Sequence, residues 1–258
     1  MTRRIAVIVL LICCFLVKGQ DGAPADQPFG KVNFITGKAY LSFPKSLEKK
    51  ELVAGMDIPM NATVETKDAA RLEIKTNDNH FVRLWEKTII SCFSVNVSNI
   101  KDPDKAKIVI SVKVGKIWNN MLKDATASRY EVSTPQGVCG VRGTIYNSGV
   151  DGEGNTEVMV FEGEVAVNPV TEEIKTSFQK TFGQSYRIEK PFQRIKKPYQ
   201  QVTKEQWEMV VKSMQRIYIS ASGERTQNEF SLEEYAEDAF TKWNRELDSK
   251  VERTPEKE

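Results

Sequence analysis

From Gly30 to about Val167 the chain runs as short apolar-rich stretches separated by turn residues. Leu72-Glu73-Ile74-Lys75 alternates apolar and polar, as does the second half of Ile108–Val114. Glu157–Phe161 and Val165–Val167 are rich in β-branched and aromatic residues. A period of two with such residues predicts strands. Thr36-Gly37, Ala54-Gly55, Asn77-Asp78-Asn79, Val114-Gly115, Asp151-Gly152 and Glu162-Gly163 fall between them as turns. No stretch of this region carries a long 3.6-residue apolar period, which argues against parallel βαβ architecture. Many short strands with close turns predict an all-β unit.

The pattern changes twice after Val167. Residues 169–202 read as an extended segment, with Tyr186, Phe192 and Tyr199 interleaved with Arg187, Arg194, Lys196 and Lys197. From 203 onward two amphipathic helices are predicted. Thr203 to Gln206 fits a capping box, and Trp207, Val210, Val211, Met214, Ile217 and Tyr218 then share a helical face. Ser231 to Glu234 is a second box, with Phe230 and Tyr235 as a hydrophobic staple. Leu232, Tyr235, Ala236, Ala239, Phe240, Trp243 and Leu247 form the second face. Packing of these faces on each other predicts a helical hairpin.

The N-terminus bears on the compartment. Arg3 and Arg4 precede the apolar run Ile5–Val17, and the small Gly19 follows. Thirteen helical residues reach about 20 Å, short of a hydrocarbon core of roughly 30 Å. The order of basic, apolar and small residues predicts a cleaved export signal over 1–19, and a spacer over 20–29 follows. The net charge of +2 belongs to that signal. Of 37 basic residues, removal of Arg3, Arg4 and Lys18 leaves 34 against 35 acidic ones. No overall field then attracts nucleic acid or an anionic membrane. Membrane association is expected only if residues 1–19 are retained. The expected location is periplasmic or extracellular.

Catalytic chemistry finds little support. The single histidine, His80, argues against a nucleophile–histidine pair and against a multi-histidine zinc site. Asp151-Gly152-Glu153-Gly154-Asn155 imitates the start of a calcium loop, but Thr156 stands where the sharp turn needs glycine. The stretch Gly137–Thr144 lacks dinucleotide or P-loop spacing. No metal, cofactor or catalytic residue is expected. Once the signal is removed, Cys92 and Cys139 remain. An oxidising compartment permits a disulfide between them, and two separate buried thiols are the other reading.

A set of short pieces in fixed order resembles a known family. Gly30-Lys31-Val32 with Thr36-Gly37 comes first, followed by Leu52–Met56, Val64-Glu65-Thr66, Leu72-Glu73-Ile74 and Val114-Gly115-Lys116-Ile117-Trp118. Then come Tyr130-Glu131-Val132-Ser133-Thr134-Pro135, Val141-Arg142-Gly143-Thr144 and Phe161-Glu162-Gly163-Glu164-Val165-Ala166-Val167. A strand ending in Thr-Pro, an Arg-Gly-Thr turn and a later Glu-Gly-x-Val strand resemble the FecR domain over roughly 30–168.

The resemblance implies a bacterial, extracytoplasmic, mainly β and non-enzymatic domain, built as a compact β-sandwich or a β-solenoid-like unit. The expected layout is signal 1–19, spacer 20–29, β domain 30–168, extended segment 169–202, and amphipathic helices with a tail over 203–258. In FecR-type regulators the domain relays occupancy of an outer-membrane transporter to a cytoplasmic sigma factor. Here no cytoplasmic region precedes the apolar run, and the terminal helices have no match in that pattern. The expected role is interaction or sensing, with an envelope protein or a surface polymer as partner. An anchored anti-sigma regulator is the first alternative, and a polysaccharide-active enzyme with paired carboxylates the second. Arg142, Gly143 and Thr144 are the candidate partner-facing residues. Arg142 can bond carbonyls or a carboxylate, and Gly143 can take a backbone conformation others avoid.

Overall fold

The computed structural model describes residues 28–44, 46–95, 107–121, 130–141, 143–170 and 208–251. The predicted signal, the extended segment from 171 and the Thr203 capping box lie outside the described residues, as does Arg142. The described chain is mainly β, with seventeen strands and one α-helix. No helix among the described residues is long and apolar enough to cross a membrane.

The strands form one connected network that separates into two ladders. The first runs β4 (Asp57–Ile58), β1 (Gly30–Thr36), β6 (Arg71–Thr76), β7 (Phe81–Leu84), β9 (Lys107–Asn120), β12 (Ile145–Val150), β13 (Thr156–Glu162), β16 (Gln215–Ile219) and β17 (Arg225–Glu229). The second runs β3 (Lys49–Glu51), β2 (Ala39–Ser42), β5 (Thr63–Thr66), β8 (Ile89–Val95), β9, β10 (Tyr130–Ser133), β11 (Val138–Val141), β14 (Glu164–Asn168) and β15 (Met209–Lys212). Strand β9 belongs to both, and the network does not close on itself. Inward side chains of the two ladders meet in one core. Leu72, Ile74, Val82 and Ile117 come from the first, and Val64, Ile90, Ile110 and Val132 from the second.

Each described passage between ladders carries a residue of positive φ. These residues are Gly37, Gly55, Asn61, Ala69, Lys87, Gly115, Gly143, Gly163 and Met214. Inside β9 the passage occurs at Gly115, with φ +97°. A Cβ there would sit 2.3 Å from Thr88 Oγ1 and 2.5 Å from Thr88 Cα. Only glycine lets the strand bend while Thr88 stays close enough to accept the Lys116 amide proton, at 3.1 Å.

The C-terminal part corrects the expected helical hairpin. The first predicted helix is instead the strand pair β15 and β16, which extends both ladders. Val210 and Tyr218 are exposed, whereas Val211, Ile217 and Ile219 are buried. That is a period of two, and unpaired ladder edges were available to accept it. The Ser231 cap is real, because its Oγ accepts the Glu234 amide proton at 3.3 Å. It starts only a short 3-10 turn, Glu233–Tyr235. The staple partners Phe230 and Tyr235 do touch, with ring centroids 5.5 Å apart. The single helix, α1 (Ala239–Asp248), begins later and is capped by Asp238, whose carboxylate accepts the Thr241 amide proton at 2.7 Å.

Candidate functional site

The Arg-Gly-Thr and Glu-Gly pieces meet in space. Gly143 (φ 60°) carries the chain from β11 to β12, and Gly163 (φ 84°) carries it from β13 to β14. A Cβ on Gly163 would sit 3.1 Å from Thr144 Oγ1 and 3.2 Å from the Gly143 carbonyl oxygen. Thr144 is buried, donates from Oγ1 to the Glu164 carbonyl at 3.0 Å, and accepts the Met121 amide proton on its own carbonyl at 3.0 Å. The two turns therefore brace each other. They deliver Ile145, Phe161 and Glu162 to the outward face of the first ladder, where these residues wall a cleft of about 540 Å³.

That face is built row by row from the pairing. Phe34, Glu73, Arg83, Trp118 and Asn147 are successive cross-strand partners. A register shift between Val32 and Phe34 turns both Asn33 and Phe34 toward it. Asn33 Nδ2 donates to Glu73 Oε1 at 2.5 Å, and the Phe34 ring lies 6.4 Å from that of Trp243. Helix α1 covers the face with Phe240, Thr241, Asn244 and Asp248, all buried. Trp85 packs against Phe240 at 5.4 Å and Trp243 at 5.9 Å, and Trp118 against Phe161 at 4.4 Å. The Arg71 guanidinium lies 4.5 Å from the Trp85 ring centre, within cation–π range.

Beneath the helix sits a buried charge network. Arg83 is fully buried and donates from Nε to Glu73 and from Nη1 to Asp248, each at 2.5 Å. Asp248 Oδ1 also accepts from Asn120 Nδ2 at 2.7 Å, and Oδ2 from Trp118 Nε1 at 2.8 Å. Both carboxylate oxygens are thus occupied, and Asp248 acts as a docking key rather than as a base. Arg83 Nη1 further donates to the Asn244 carbonyl at 3.3 Å, while Nη2 and Asn244 Oδ1 are buried without a partner. The cleft lies beside this network, with Leu232, Arg245, Ser249 and Val251 on its helical side.

Of the nominated residues, Gly143 and Thr144 support this wall as structural corners. Cys92 and Cys139 are buried free thiols. Cys92, Ile110, Val132 and Cys139 lie in one row across β8, β9, β10 and β11. Three strand spacings separate the cysteines by about 14 Å, beyond the roughly 7 Å limit for a disulfide. The disulfide reading is therefore corrected to two separate thiols. Burial pushes the Cys92 thiol up strongly and the Cys139 thiol up to about 12. His80 is buried with its ring 4.8 Å from that of Tyr130, and burial lowers its pKa. In the calcium-like loop both Asp151 oxygens accept bonds from within the loop itself, namely from the Glu153 and Asn155 amides and from Asn155 Nδ2. No group of three or more metal-ligating side chains occurs among the described residues.

Glu73, Arg83, Trp118, Asn120 and Asp248 were not singled out from sequence. Alternation marks Glu73 and Arg83 as outward, and outward charge ordinarily meets water. Only the docked helix makes them interior. The one available signal was the pairing of an acid and an arginine on neighbouring predicted strands.

Among solved structures, two crystal structures of a proposed anti-sigma factor from Parabacteroides distasonis, at 1.65 Å and 2.50 Å, each align with a TM-score of 0.41 and 14% identity. Each alignment covers 65% of this chain and 59% of the other, so the chain spans less than two thirds of their length. No curated protein matches. The family model described as FecR protein matches residues 62–166, from the start of β5 to within β14. The region expected from the Thr-Pro, Arg-Gly-Thr and Glu-Gly-x-Val pieces is thus carried by this chain as a FecR match over residues 62–166.

Proposed function

We propose that this chain is an exported, non-enzymatic FecR-like interaction module that takes part in signalling by binding an envelope protein. The observation that carries the reading is the FecR match, whose two most diagnostic turns wall a cleft of about 540 Å³. Trp118, Ile145 and Phe161 give the cleft an apolar floor, and Glu162, Arg245 and Ser249 give it a polar rim. Apolar centre and polar rim are the usual anatomy of a protein contact. Export through residues 1–19 and the division into a β domain and a terminal segment belong to the same proposal. The basic and aromatic segment 169–202 has its place there as an extended strap.

The test is photocrosslinking in intact cells with a photoreactive residue at Glu162 of the full chain and a control at the exposed Leu47. A discrete adduct with one envelope protein at 162, absent at 47, is the expected result. Equal labelling at both positions, or adducts with glycan alone, overturns it. Fractionation of the same cells reads the compartment, with recovery outside the cytoplasm expected.

A further inference from the structure

The outward face of the first ladder is a place where a helix binds, and its present occupant fits imperfectly. Three observations agree. Helix α1 is short and is held by few buried residues, with the polar key Asp248 at its far end. It leaves Arg83 Nη2, inside a fully buried guanidinium, without an acceptor, and its own Asn244 Oδ1 without a donor. It also leaves the cleft between itself and the FecR turns unfilled. A buried cation with an unmet donor is costly, so the docked state is weaker than the face permits.

The ladder side of the interface is complete without the helix. Arg83 is already held by Glu73, and Trp85, Trp118 and Phe161 are set by the strands that carry them. Lifting α1 would expose these rings together with one donor-rich arginine, a surface that demands a replacement.

We propose that α1 is a displaceable occupant of a helix-docking groove. The module's partner is an amphipathic helix presenting two aromatic side chains and an acid at the spacing of Phe240, Trp243 and Asp248. The partner helix would satisfy Arg83 with a carboxylate as Asp248 does, offer a further acceptor to Nη2, and extend an apolar side chain into the cleft. Its acid chooses the register, because only one position along the groove brings it to Arg83, Trp118 and Asn120 together. The binding of α1 in cis then competes with partner binding and sets its threshold.

This inference rests on the interaction reading, and its test fails separately from crosslinking at Glu162. Crosslinking asks whether a partner exists, whereas hydrogen exchange asks whether the groove opens. The experiment is native-state hydrogen exchange of the full chain, wild type and Asp248→Asn, with a labelled synthetic peptide of this chain's residues 237–251 as probe. The expected result is exchange in 239–248 at least tenfold faster in the variant, with protection of β9 and β12 unchanged. The peptide should bind the variant at least tenfold more tightly than it binds wild type, and the same peptide carrying Asp248→Asn should bind neither. Exchange of α1 only together with β9 in both proteins overturns the proposal, because the helix would then be part of one cooperative unit. Faster exchange without peptide binding overturns it too. Should Asp248→Asn fail to fold, Trp243→Ala removes ring contacts alone and carries the same readouts.

Discussion

Arg83 shows how much one side chain can hold. It joins β7 to Glu73 on β6 and to Asp248 on α1, and all three groups are buried. Arg83→Ala strands two buried carboxylates. Loss of one partner of a buried pair costs about 3–5 kcal/mol, so urea unfolding should show a loss of that size. His80 gives a pH signature with a definite sign. Its pKa in the folded chain is lowered by burial, with Asp78 opposing, against an unfolded value of about 6.5. Below about pH 6.5 the unfolded chain therefore binds more protons than the folded one. Stability is full above that pH and falls as pH drops through it toward the folded pKa. In His80→Phe the slope of stability between about pH 6.5 and pH 5 should be smaller. Equal slopes in melts of both proteins would place the proton elsewhere. The buried thiols should resist alkylation in the folded chain, since burial disfavours their thiolates.

At the scale of elements, strands over 30–168 were legible because alternation, β-branching and turn residues agreed there. The terminal segment misled because its signals disagreed. Val210, Val211, Met214, Ile217 and Tyr218 satisfy a helical face and a strand alternation equally well over so short a run. The ladder edges at β13 and β14 decided for strands, and only pairing distant in sequence supplies that information. The Ser231 box was read correctly as a cap, but the helix waits for Asp238. The outward face was the least legible part of the site. Its partners β6, β7, β9 and α1 are separated by up to 165 residues, and no local pattern announces that a helix will cover charged strand positions. Gly115 was legible as a turn signal, though its role as a bend within one strand was not. Gly115→Ala meets Thr88 and a positive φ together. Strain of this kind costs about 1–3 kcal/mol, and the clash adds to it. The expected result is a lower urea midpoint with an unchanged slope.

At the scale of the whole molecule, β9 divides the chain into halves of similar construction. β1 to β8 place four strands in each ladder on one side of it, and β10 to β17 place four in each on the other. The FecR match, residues 62–166, straddles that divide. This symmetry bears on how the protein is made. A ribosome that has released Asn120 has delivered β7 and β8, and β9 can pair along one edge only. Its other edge, fourteen residues long, waits for β10 and β12. At about 5–20 residues per second the rest of the chain takes roughly 7–30 s. Throughout that interval the nascent half presents a long unpaired strand edge, the type of surface that joins chains to one another. A chain ended after Asn120 should therefore sediment as aggregate while the full chain stays monodisperse, and in the cell the first half needs a holding factor until the second arrives.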